Sequence, residues 1–305
     1  MAIVKSFAVS SKMNQPGDMF YIKHNTDNFT VIDCCLNDVR EKGILEEIKS
    51  IRAEKSIFRF ISTHPDDDHI CGITNLSKEI GIENFYCVKN NSNNPDGGDD
   101  FETYCNLRDG KKSFYLKKGC RRKWLNDGNE ERDSSGITIL WADENNREFN
   151  KVIDNLDNSW GEQNNISPII RYAIQDSASF LWFGDLETDF MNKIKDDVSF
   201  SKATVIFAPH HGRESGSLPT KWLEQINPRL IIIGEAPSEN LNYYNGYNTI
   251  TQNSAGDIVF EEDGNLLNIY TSNEEYELKF YCLYNKNKIG CTLKGCYYKG
   301  SIIIK

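Results

Sequence analysis

The chain has 305 residues, 26% of them charged and 39% hydrophobic, and a formal net charge of −10. That length suits one large α/β domain or two small ones, and the composition is that of an ordinary globular protein. The negative balance weighs against tight nonspecific binding of DNA or a membrane by the whole surface, although it leaves room for a local basic groove. No stretch reaches the length of a membrane span, and the N-terminus lacks a basic region followed by an apolar one. A cytoplasmic location is therefore expected. The nine cysteines include no CxxC pair, which leaves a zinc ribbon unsupported and points to reduced thiols.

Taken in order, residues 3–9 read as a first strand. Residues 19–23 and 29–34 read as a hairpin whose second strand ends at Asp33, with His24 in a solvated turn. Apolar residues at 39, 44, 45 and 48 predict an amphipathic helix over 37–50. The apolar run 57–61 predicts a buried strand, followed by a helix over 73–80 and a strand over 84–88. Residues 90–100 are rich in Asn, Gly and Asp and read as a loop. The most basic stretch follows, with Arg121, Arg122 and Lys123 beside Trp124. It reads either as a hairpin insertion with a charged face or as a nucleic-acid contact. Residues 143–163 look irregular or partly helical. Residues 166–174 and 179–183 predict antiparallel strands, with a short helix over 189–196. A buried strand over 203–208, a helix over 218–225 and a strand over 229–233 come next. Residues 238–248 form a tyrosine- and asparagine-rich loop, and a turn at 255–257 separates short strands within 249–260. Three segments after residue 265, namely 266–271, 276–284 and 297–304, look like β structure.

The chemistry concentrates where predicted strands end. After the run 57–61 come His64, Asp66, Asp67, Asp68 and His69, two histidines bracketing three aspartates. A core cannot hold that much carboxylate unless it is paired or metal-bound, and imidazole with carboxylate suits Zn, Mn or Fe. His64, Asp66 and Asp68 can share one direction on an extended loop, whereas bringing His69 inward as well requires a turn. Asp185 ends the strand 179–183, and His210 and His211 follow the strand 203–208. Gly72 and Gly212 allow close backbone approach beside these groups.

At these residues the sequence resembles the metallo-β-lactamase fold, and within it the soluble domain of the ComEC/Rec2 competence proteins. The family signature His-x-His-x-Asp-His stands here as His64-Pro65-Asp66-Asp67-Asp68-His69, with aspartate in the third place, as in the ComEC-like branch. Asn165-Ile166-Ser167, Phe183-Gly184-Asp185 and Ala208-Pro209-His210-His211-Gly212 also match, as does the segment from Thr249 to Phe260. The similarity runs from about residue 3 to 260. It implies a four-layer αββα sandwich, metallo-β-lactamase-like, with one or two divalent metals, Zn or Mn. His64 and Asp66 would help hold one metal, Asp68 and His69 the second, and Asp185 would bridge them. His210 or His211 would complete the cluster, or one of them would face the substrate. Asp33 would orient a ligand from behind. The Gly-His-Pro usual after the strand here spanning 229–233 is missing, and Glu235-Ala236 stands in that region. The second metal is the part of the cluster this departure puts in question.

The expected activity is hydrolysis of a phosphodiester, in nucleic acid or a small nucleotide, by a metal-bridging hydroxide, with Asp68, Asp185 and His211 in the catalytic set. Arg213, Ser215 and Ser217 either hold phosphate oxygens or are ordinary loop polarity. Arg121, Arg122 and Lys123 are the candidate nucleic-acid contacts. Two alternatives stand beside this expectation: an acyl hydrolase acting on lactones or thioesters, and a catalytically poor metal-binding scaffold. The expected division is a hydrolase domain over 1–264 and a small β extension over 265–305, through which copies of the chain could associate.

Overall fold

The computed structural model describes residues 1–9, 16–36, 39–94, 97–156, 161–174, 177–236 and 242–304. Runs of β-branched and aromatic residues build two sheets from these residues. The first opens with β1 (Ile3–Ser6), β2 (Phe20–Lys23) and β3 (Asn28–Ile32), paired antiparallel. It continues in parallel through β4 (Ile57–Ile61), β5 (Phe85–Val88) and β6 (Ser113–Leu116). The second sheet contains β7 (Ile137–Trp141), β8 (Ile169–Ala173) and β9 (Ser179–Trp182), also antiparallel. Its parallel half adds β10 (Val205–Phe207), β11 (Leu230–Ile233) and β12 (Thr249–Thr251). The chain then returns to the first sheet. There β13 (Ile258–Asp263) pairs with β1 and β14 (Leu266–Thr271), and β15 (Thr292–Leu293) and β16 (Cys296–Ile303) finish that edge.

The sheets face each other across an aromatic core. Phe20 of the first meets Phe207 of the second at 4.9 Å between ring centroids, and Phe260 meets Phe180 at 5.7 Å. Helices cover the outer faces. On the first sheet, Phe58 and Phe60 of β4 pack with α1 (Glu41–Ala53) and α3 (Ile73–Ile80), and Phe85 packs with Tyr104 of α4 (Asp99–Arg108). Between α1 and α3 lies the single turn α2 (Asp67–Ile70). On the second sheet, Trp141 packs against Phe149 of α5 (Arg147–Leu156) and Phe190 of α6 (Thr188–Ile194), and Phe183 stacks on Trp222 of α7 (Thr220–Ile226). A last short helix, α8 (Gln252–Ala255), links β12 and β13. This is the four-layer αββα sandwich expected from the sequence. Side chains alternate along β4, so Phe58 and Phe60 face the helices while Arg59 and Ile61 face the space between the sheets.

Several local expectations change. The stretch after residue 111 is no hairpin insertion: β6 pairs in parallel with β5 and forms the sheet edge. Its four-residue span carries little periodicity, and only pairing with β5 reveals it. Helix α4 was equally illegible, because its residues lack a clear apolar stripe. A helical turn, α8, replaces the turn expected at 255–257. Residues 276–284 are not a strand, and only Leu283 forms a bridge, to Ser301. His24 is 1% exposed, not solvated; Tyr172 from the opposite sheet packs edge-on against it at 5.0 Å. The loop expected over 238–248 lies partly outside the described residues. The boundary expected at 264 falls in the hairpin turn joining β13 and β14, where Asp263 pairs with Leu266. All nine cysteines are free, and no described helix is long and apolar enough to cross a membrane.

Candidate metal centre

Parallel pairing aligns the C-terminal ends of β3 and β4 in one sheet and of β9 and β10 in the other. Beyond β4 the chain stays extended to Asp66 (φ −72°, ψ 151°), then turns into α2. The amides of His69 and Ile70 both donate to the Asp66 carbonyl, at 2.9 and 3.1 Å. This turn is the one that bringing His69 inward requires. Gly72 follows at φ +78°, and a Cβ there would lie 2.5 Å from that of Leu36. From the second sheet, the His210 amide donates to the Gly184 carbonyl at 3.0 Å, which sets the two strand ends side by side. His210 and His211 are both left-handed, at φ 48° and 56°. Such backbone is uncommon outside glycine and concentrates at functional sites. Gly212, at φ +83°, passes so close to Ile233 that a Cβ would sit 2.7 Å from its side chain.

Asp68, His69, Asp185 and His211 each present a ligand atom within 4.8 Å of the others. His69 Nε2 lies 3.2 Å from Asp185 Oδ1, and His211 Nε2 lies 3.2 Å from Asp68 Oδ2 and 3.5 Å from Asp185 Oδ2. His64 and Asp66 stand next to this group, with His64 Nε2 3.7 Å from Asp66 Oδ2 and the His64 ring 4.1 Å from that of His69. His210 is nearer the rim, with Nε2 3.7 Å from Asp185 Oδ2 and a side chain 16% exposed.

His64 and His69 each have the second ring nitrogen hydrogen-bonded from behind, whereas His211 Nδ1 faces the Asp18 carboxylate without an aligned hydrogen bond among the described residues. Asp33 accepts from His69 Nδ1 at 3.0 Å and is itself held by the Thr63 amide and hydroxyl, at 2.7 and 2.6 Å. His64 Nδ1 lies 3.0 Å from Thr63 Oγ1 and 3.3 Å from Ser167 Oγ, and Ser167 also accepts from the Asp185 amide. His211 Nδ1 lies 3.3 Å from Asp18 Oδ1. Ser215 holds His210 Nδ1 at 2.9 Å. Arg213 Nε has no hydrogen-bond partner among the described residues, and Ser217 contributes its carbonyl to Thr188. Asp18 and Thr63 gave no signal in the sequence. Asp18 reaches the site because its amide donates to the Asp68 carbonyl at 3.1 Å. Ser167 was visible only within the motif Asn165-Ile166-Ser167.

The electrostatics show what the cluster lacks. Burial opposes charge on His69 and His211, yet Asp185 for the first, and Asp18 with Asp185 for the second, push both well up, His211 to about 10. Burial likewise opposes ionisation of Asp68 and Asp185, but the two imidazoliums hold both carboxylates low. Burial raises Asp66 to about 7, and burial with the His69 charge beside it lowers His64 to about 3. Protons on His69 and His211 thus supply the positive charge that the carboxylates demand. A divalent cation held by these residues would supply the same charge. The buried atoms His64 Nε2, His69 Nε2, Asp66 Oδ1 and Asp185 Oδ1 have no aligned hydrogen bond among the described residues. Such atoms need a partner, and the mixed imidazole–carboxylate set fits Zn or Mn.

The basic residues Arg121, Arg122 and Lys123 lie elsewhere. They gather with Ser56, Ile57, Asn84 and Lys112, at the N-terminal ends of β4, β5 and β6, away from the cluster.

No family model and no curated protein matches the chain. Among solved structures it is similar to Igni18, a novel metallo hydrolase from the hyperthermophilic archaeon Ignicoccus hospitalis KIN4/I. The identity is 14% and the TM-score 0.48, over 86% of this chain and 100% of that one. It is also similar to a long form RNase Z from yeast, at 10% identity and a TM-score of 0.43, over 82% of this chain and 40% of that one. Both likenesses are distant.

Proposed function

We propose that the protein is a metal-dependent hydrolase of phosphodiesters. The observation that carries this is the convergence of Asp68, His69, Asp185 and His211, from both sheets, within 4.8 Å. His64 and Asp66 would hold one divalent metal, Asp68, His69 and His211 a second, with Asp185 shared between them. A divalent cation there supplies Lewis acidity toward a phosphoryl oxygen and lowers the pKa of water. The chain's own residues do the rest. Asp33 keeps the His69 proton on Nδ1, leaving Nε2 to face the cluster, and the charge of the Asp18 carboxylate, 3.3 Å from His211 Nδ1, draws the His211 proton to that side. Thr63 and Ser167 orient His64 in the same way. His210 reaches solvent and is held through Nδ1 by Ser215, so its Nε2 is the atom placed to hand a proton to a leaving oxygen. Arg213 would hold a substrate phosphate oxygen.

A second proposal is acyl hydrolysis on the same cluster, of a lactone or thioester. It is favoured by the cavity of about 530 Å³ beside Asp68, whose walls include Asp67, Asp99 and Asp100 together with Ile70 and Phe101. An acidic, apolar wall repels a polyanion and accepts a neutral chain.

The test is turnover with Mn or Zn of bis-para-nitrophenyl phosphate, DNA, RNA, cyclic nucleotides, a lactone and a thioester, by wild type and Asp185→Asn. Metal-dependent cleavage of a diester, lost in Asp185→Asn, is expected. Turnover of the acyl substrates alone overturns the phosphodiester assignment. No turnover by a folded, metal-loaded protein leaves a binding scaffold.

A further inference from the structure

A second chemically distinctive place lies at the opposite end of β4. A cavity of about 570 Å³ opens there under the segment that joins β6 to β7. Six cations line it, Arg59, Lys112, Arg121, Arg122, Lys123 and Arg132, against a single lining acid, Glu83. Nearby carboxylates answer some of this charge. Arg121 pairs with Asp127, Lys123 lies 3.9 Å from Glu131, and Arg132 lies 4.0 Å from Asp27. Arg59, Lys112 and Arg122 have no ion pair among the described residues.

Arg59 is the decisive residue. It is 1% exposed, and its hydrogen bonds go to neutral groups alone: Thr30 Oγ1 at 3.3 Å, Asn28 Oδ1 at 2.9 Å and the Trp124 carbonyl at 3.0 Å. Its Nε has no hydrogen-bond partner among the described residues. A buried cation without a counterion is strongly unfavourable, and ordinary packing would replace it with an apolar side chain. Trp124, whose carbonyl fixes Arg59, sits at φ +65°, a conformation a bulky residue adopts only under constraint. Arg122 is exposed but held in place, its guanidinium 3.2 Å from the centroid of the Phe114 ring. The fold thus keeps around one cavity three cations that have no ion pair among the described residues, one of them buried and held by neutral acceptors and the Tyr86 ring.

We propose that this cavity binds a phosphomonoester, at a site separate from the metal centre. A phosphomonoester carries a charge of about −1.5 to −2 at neutral pH and three strong acceptor oxygens. It therefore matches the three unpaired cations better than a phosphodiester, which carries a single charge. Guanidinium groups such as those of Arg59 and Arg122 suit the tetrahedral anion, and Lys112 adds a point charge. Tyr86, Phe114 and Trp124 also line the cavity.

The experiment is calorimetric titration of the full chain with inorganic phosphate, adenosine 5′-monophosphate, adenosine, and an oligonucleotide lacking terminal phosphates. Wild type, Asp185→Asn and the doubly substituted Lys112→Ala/Arg122→Ala are compared; Lys112 and Arg122 are exposed, so folding survives their loss. Phosphate and the monophosphate should bind wild type and Asp185→Asn alike, and bind the double variant at least about tenfold more weakly. Turnover and metal content of the double variant should equal wild type. Absence of phosphate binding, equal binding to the double variant, or loss of binding in Asp185→Asn each overturns the site. Adenosine binding as tightly as its monophosphate overturns phosphate recognition. An oligonucleotide without terminal phosphates that outcompetes the monophosphate overturns the monoester in favour of a nucleic-acid backbone. None of these outcomes depends on hydrolysis, so failure of the proposed activity leaves the test intact.

Discussion

The two ends of β4 solve opposite electrostatic problems. At the C-terminal end, Asp33, Asp66, Asp68 and Asp185 crowd three buried histidines, and the deficit is positive charge. At the N-terminal end Arg59 lies among neutral acceptors, and the deficit is negative charge. The first place is assembled from both sheets, with its imidazoles held from behind. The second is built from the N-terminal parts of β4, β5 and β6 together with one excursion between β6 and β7, with Arg59 as its buried cation. At the two proposed sites, the sign of each buried charge imbalance sets the sign of the ligand.

Independent behaviour of the two ends is the point to break. The largest effect is expected from Asp185→Asn, which should lower diester turnover by about 10²–10³-fold and reduce bound metal on elemental analysis. A full metal complement with unchanged turnover would remove Asp185 from the centre. Next come the supports behind the imidazoles. Asp33→Asn should weaken metal affinity by about 10–100-fold in competition with a chelator. Asp18→Asn should weaken it less, because its contact to His211 is 3.3 Å against 3.0 Å for Asp33 to His69. The reverse ranking would mean that His211, not His69, is the more tightly positioned ligand.

Metal-free protein should reveal the protons that stand in for the cation. Against the opposition of burial, the Asp18 and Asp185 carboxylates push the folded His211 pKa up to about 10, from the usual imidazole value of about 6.5. Its contribution is therefore fully present below about pH 6.5 and is lost as pH rises toward 10. Melting temperature without metal should fall across that window, and saturating metal should flatten the dependence. A metal-free protein whose stability rises over the same range would contradict the assignment. The smallest effect on the cluster is expected from truncation after residue 264. The cluster groups and their supports all precede residue 265, while β13 loses its hairpin partner. Melting temperature should drop by several degrees, with metal bound per folded molecule unchanged. Complete unfolding of this truncation would show that 1–264 is not a domain.

Much of this was legible in the chain itself. The strand 57–61 and the helix 73–80 have the observed bounds, because each carries an unbroken local pattern, apolar in one and amphipathic in the other. The run His64–His69 singles itself out through composition alone, since so many carboxylates beside a buried strand must be paired or metal-bound. Other features left no local trace. Strand β6 exists by pairing with β5, and His24 is buried by Tyr172 of the other sheet.

Neighbouring residues along the chain thus dictated the ligand types, the strands that carry them and the αββα class. Which of His210 and His211 enters the four-group cluster was decided in three dimensions, by left-handed backbone at both and by Asp18 and Ser215 taking hold of their rings. So was the burial among neutral acceptors of Arg59, which in the sequence is one polar residue in an apolar run. Burial, counterions and hydrogen-bond partners are properties of contacts between distant segments. Sequence periodicity reports which face a side chain takes, but not what waits on that face.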